Sequence, residues 1–111
     1  MDAQQIARLA AAAAEEKKAI DVLILDVSQL TVITDYFVIA SGTTATQVQA
    51  VAEAVEEKLK AEGIRPLRRD GTPGGQWLVL DYGGVMVHIL QEEQRDYYDL
   101  EGLWYEAPRL K

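Results

Sequence analysis

A chain of 111 residues can bury one core without staples, and one domain spanning residues 1–111 is expected. It has no cysteine, which excludes disulfides and thiolate metal sites. Eighteen acidic residues against 11 basic ones give a formal net charge of −7, which disfavours nucleic acid and suits a basic protein partner.

The apolar runs fall far short of the roughly 20 residues that a membrane helix needs. The opening Met1-Asp2-Ala3-Gln4 has no basic region leading into an apolar core, so a secretory signal is not expected. A cytoplasmic setting and no membrane partner follow as expectations.

Asp2 and Gln5 have capping-box spacing, and Ile6, Leu9, Ala10 and Ala13 share one helical face. A first helix is expected from about Asp2 to Lys18. "DVLILDVS" predicts a central strand over Val22 to Ser28, and "DYFVIASG" a second over Tyr36 to Ser41. Gly42 breaks that run. Thr44 and Gln47 repeat the cap spacing, and Val48, Val51, Ala52, Val55 and Leu59 mark an amphipathic helix ending at Gly63.

A third strand is expected over Ile64 to Arg68, then a glycine-rich loop, "RDGTPGG". "QWLVLDYGGVMVHIL" predicts strands four and five around a Gly83-Gly84 turn. The tail from Glu92 predicts short helical turns near Asp96 and Leu100. The order is αββαβββα, an α+β fold in which helices flank a mixed five-stranded sheet.

A two-residue Gly83-Gly84 loop, with both glycines at positive φ in a type I′ turn, fixes the register. Tyr82 then opposes Val85, Leu80 opposes Val87 and Leu78 opposes Ile89, all on a core face. On the other face Trp77 opposes Leu90, Val79 opposes His88, and Asp81 opposes Met86. Asp81 and His88 become diagonal neighbours, and Asp81 could fix the imidazole tautomer. A face carrying Trp, Leu, Val and Met must be covered, either by the chain's own helices and aromatic tail or by another molecule.

Enzyme chemistry has one foothold, the "ASGTT" strand end that opens a helix, where Ser41-Gly42 could hold a phosphate. Nucleotidyl transfer needs an acidic pair on the next strand to hold magnesium, and the residues around Leu67 offer none. Asp99-Leu100-Glu101 lies in the tail. With one histidine and no cysteine, neither a metal site nor another cofactor is expected. Arg65, Arg68 and Arg69 form the single basic cluster, read as guarding a sheet edge, with direct RNA contact as the weaker option.

Three segments in order carry a family resemblance: "DYFVIASG", the hairpin from Trp77-x-x-x-Asp81 to Val87-His88, and Tyr98-x-Leu100-x-x-Leu103-Trp104 within "RDYYDLEGLW". Over about residues 3–107 the chain resembles the Iojap-like ribosomal silencing factors. The resemblance implies a nucleotidyltransferase-like fold without the catalytic site. It also implies binding to the large ribosomal subunit through its protein fourteen, blocked joining of the small subunit, and lower translation when nutrients are scarce. On that basis the expected partner-binding residues are Trp77, Asp81, Met86 and His88, with Tyr98, Leu100 and Trp104 bordering or supporting them. The sequence leaves open whether the free chain forms a homodimer.

Overall fold

The computed structural model describes residues 1–110. Helix α1 spans Ala3–Glu16 and opens on a reciprocal cap. Gln5 N donates to Asp2 Oδ1 at 2.8 Å, and Asp2 N donates to Gln5 Oε1 at 2.9 Å. The helix stops short of the expected Lys18, because that residue takes a left-handed φ of 61°. Its fully buried side is all alanine, comprising Ala7, Ala10, Ala11, Ala13 and Ala14, which lets the helix lie close to its neighbours.

Strand β1 is Ile20–Asp26 and strand β2 is Tyr36–Gly42. Helix α2, Ala45–Lys60, buries Val48, Val51, Ala52, Val55 and Leu59, the face expected from their spacing. Thr44 Oγ1 accepts from Gln47 N at 3.1 Å, but the Gln47 side chain turns to Thr43 N instead of closing a full capping box. Gly63, at φ 77°, closes the turn beyond the helix.

Strand β3 is Arg68–Gly71, not the expected Ile64 to Arg68. Pro66 has no N–H for a ladder, and pairing starts just after it, where Leu67 N donates to Asp81 O at 2.7 Å. Strands β4, Trp77–Asp81, and β5, Val85–Gln91, form the hairpin. The five expected cross-strand pairs from Trp77 opposite Leu90 to Asp81 opposite Met86 are present. The turn closes with Tyr82 N donating to Val85 O at 2.8 Å. Of the two turn glycines only Gly83 has a positive φ, 87°, so the turn is not the expected type I′, which needs positive φ at both.

Two short helices follow, α3 over Glu92–Tyr98 and α4 over Leu100–Leu103. A two-residue strand, β6, Arg109–Leu110, then pairs with β1 and makes the sheet six-stranded. The strand order is β3-β4-β5-β2-β1-β6. The β2–β5 pair is parallel and the other pairs are antiparallel, so the sheet is mixed.

Helices α1 and α2 cover one face, over Leu78, Leu80, Val85, Val87, Ile89, Val38 and Ile24. The other face carries a smaller cluster of Leu25, Val27, Phe37, Ile39 and Leu90, capped by Leu100 and Ala107 of the tail. Among the described residues, no helix is long and apolar enough to cross a membrane.

Candidate docking face

The smaller cluster is where the hairpin and tail meet. Trp77 Nε1 donates to His88 Nδ1 at 3.2 Å. With Nδ1 accepting, the imidazole proton is assigned to Nε2, which is buried and has no hydrogen-bond partner. Burial pulls the His88 pKa down to about 4, so the ring is neutral near pH 7. Phe37 meets His88 edge-on at 5.0 Å and Trp104 edge-on at 5.2 Å. Tyr98 lies against Trp77 at 4.8 Å, and Tyr97 meets Tyr98 at 5.0 Å. An unbroken series of rings therefore runs from Trp104 through Phe37, His88, Trp77 and Tyr98 to Tyr97.

Of the expected docking residues, the fold joins Trp77, His88, Tyr98 and Trp104 through these rings, and places Leu100 in the same apolar cluster. His88 and Leu100 are buried, so they back the surface. Trp77, Asp81, Met86 and Trp104 are half-buried and Tyr98 is exposed. Asp81 and Met86 form a cross-strand pair at the hairpin end. Asp81 does not bond to His88: its Oδ1 accepts from Gly83 N at 2.8 Å and serves the turn.

Sequence reasoning passed over Arg95, which pins the tail to the sheet. Its side chain is 8% exposed. Nε and Nη2 fork onto the two Glu101 carboxylate oxygens, each at 3.2 Å. Nη1 donates to Ser41 Oγ at 2.9 Å and to Ile20 O at 3.3 Å. No regular spacing marks such a residue, since two of its partners lie 54 and 75 positions away.

This clamp also bears on the phosphate reading of Ser41-Gly42. The Ser41 hydroxyl is buried under the Arg95 guanidinium, and the Thr44 and Gln47 side chains take amide donors at the start of α2. Asp99 caps α4 by accepting from Gly102 N, and Glu101 holds Arg95, so the acidic pair of the tail is engaged. Arg68 and Arg69 lie on β3, an edge strand, as the edge-guarding reading expects. Arg69 pairs with Glu56 at 2.6 Å and Arg68 with Asp70 at 3.5 Å.

The architecture defines a small α+β domain with one sheet face sealed by two helices and the other only partly covered by an aromatic tail. The family model described as "Ribosomal silencing factor during starvation" matches residues 1–111, and the chain belongs to that family. It is 37% identical over 108 residues to the ribosomal silencing factor of Bacillus subtilis, covering 97% of this chain and 92% of the relative. A crystal structure of a protein from Chromobacterium violaceum superposes with a TM-score of 0.89 at 39% identity, covering 94% of this chain and 87% of that one. The mouse protein named for mitochondrial assembly of the ribosomal large subunit is 30% identical over 92 residues, covering 80% of this chain and 40% of its own length.

Proposed function

We propose that this chain acts without catalysis, in the cytoplasm, by docking on the large ribosomal subunit through its protein fourteen. Occupying that site blocks joining of the small subunit and lowers translation when nutrients are scarce. The observation that carries this reading is the incomplete cover of the second sheet face. Trp77, Asp81 and Met86 remain half-buried on β4 and β5, next to exposed Tyr98. Half-covered aromatic and apolar side chains beside a carboxylate are the makings of an interface anchor. The net charge of −7 suits a basic ribosomal protein. Membership of the silencing-factor family and the name of the mouse relative support the ribosome, and its large subunit, as the target.

The test is co-sedimentation of the purified chain with free large subunits, free small subunits and joined ribosomes. Capture by the free large subunit alone is expected. Equal capture by small subunits or by joined ribosomes would remove the blocking mechanism.

A further inference from the structure

The ring series of the second face does not end at the sheet. Trp77 passes to Tyr98 at 4.8 Å, and Tyr98 to Tyr97 at 5.0 Å with the two tyrosine rings perpendicular. Tyr97 is 80% exposed and Tyr98 45% exposed, so two tyrosine rings on one short helix face solvent. Packing alone does not account for a ring left so open, because burial is what an aromatic side chain contributes to stability. Tyr97 shares its side of α3 with Glu93, one turn earlier, and Glu92, Glu93 and Asp96 are all exposed. The cation of that helix, Arg95, points inward and is already held by Glu101.

We infer that the outer side of α3, built on Tyr97 and Tyr98 and flanked by Glu93 and Asp96, is a docking surface for a basic protein segment. Lysine or arginine side chains of the partner lie on the tyrosine rings and pair with the carboxylates at their edge. The local charge selects this occupant. Exposed carboxylates repel the phosphates of nucleic acid, and they repel a second copy of the same surface. The inference rests on the proposed ribosomal function and deepens it, extending the contact from the hairpin to a helix absent from the expected site list save for Tyr98.

The experiment measures binding of fluorescently labelled chain to purified large ribosomal subunits over a range of salt concentrations. Tyr97→Ala and the double variant Glu93→Lys/Asp96→Lys change only exposed positions, so native melting temperatures are expected. Tyr97→Ala is expected to weaken binding about fivefold or more. The charge reversal is expected to weaken it about tenfold and to flatten the salt dependence. Wild-type affinity and salt dependence in both variants, while Asp81→Arg loses binding, would overturn the inference and leave the ribosomal reading standing. Self-association that Tyr97→Ala abolishes, with unchanged subunit binding, would assign the surface to a second copy and also overturn it. If the wild-type chain binds no large subunit, the functional reading falls and this extension falls with it.

Discussion

Trp77 and His88 sit on neighbouring strands and share one hydrogen bond, the indole N–H donating to imidazole Nδ1 at 3.2 Å. That bond requires an unprotonated Nδ1, which ties the packing of the second face to the charge state of a buried ring.

The first prediction is therefore a pH dependence. Burial lowers the His88 pKa from 6.5 to about 4, so between these values the unfolded chain binds a proton that the folded chain does not. The stability that depends on neutral His88 is complete above pH 6.5. It declines as pH falls toward 4, by up to about 3 kcal/mol. His88→Phe removes the titration along with the bond. Urea unfolding across pH 7 to 4 should show a steeper loss in the wild type than in His88→Phe. Parallel curves would show that His88 titrates alike in the folded and unfolded chains, so that burial does not shift it.

A second prediction concerns the Arg95 clamp. Glu101→Ala leaves a guanidinium buried without its carboxylate, which costs about 3 kcal/mol, at the low end for a buried pair because Glu101 is partly exposed. Arg95→Met removes the buried charge and lets Glu101 turn to water. Its cost should be smaller, about 1–2 kcal/mol, for the hydrogen bonds lost at Ser41 and Ile20. Denaturant midpoints rank the two variants. If Glu101→Ala is as stable as the wild type, the clamp does not hold the tail.

A third prediction addresses the strand end at Ser41-Gly42. The serine hydroxyl already accepts from Arg95 and is buried, so labelled nucleotide with magnesium should bind no better than to an unrelated acidic protein. Ser41→Ala should leave that background unchanged. Saturable nucleotide binding that disappears in Ser41→Ala would revive the enzymatic reading.

Much of this arrangement is legible in the residue pattern, for reasons that differ by element. The hairpin register follows from a period of two and a Gly-Gly turn, and each cross-strand pair is where that rule puts it. The buried face of α2 follows from a period near 3.6. Strand β3 is shifted because Pro66 interrupts pairing at a point where apolar content alone suggests continuation. The two-residue β6 carries no periodicity to detect. Both hairpin faces are apolar, and the one read as the core face, with Leu78, Leu80, Val85, Val87 and Ile89, is the one that α1 and α2 seal. Asp81 and His88 are diagonal neighbours as expected, yet Asp81 is taken by the turn amide of Gly83 and His88 by the indole of Trp77. Local competition of that kind is invisible to spacing.

The last prediction separates docking from packing on the open part of the sheet. Trp77 is half-buried, bonds to His88 and packs against Tyr98, so Trp77→Ala should cost about 3 kcal/mol of stability as well as any affinity. It cannot by itself distinguish the two roles. Asp81 can. Its carboxylate accepts from Gly83 N, a bond worth about 1 kcal/mol, and Asp81→Asn keeps an oxygen in the same place while removing the charge. Asp81→Asn should therefore melt like the wild type and inhibit subunit joining less strongly. Asp81→Arg gives up the turn bond, so a drop of a few degrees in melting temperature is expected for a chain of this length. It also sets a cation against a basic partner, and inhibition of joining, followed by light scattering, should be lost. If folded Asp81→Arg still blocks joining at wild-type concentrations, Asp81 is not in the interface. The contact would then have to be sought away from the hairpin end of the second face.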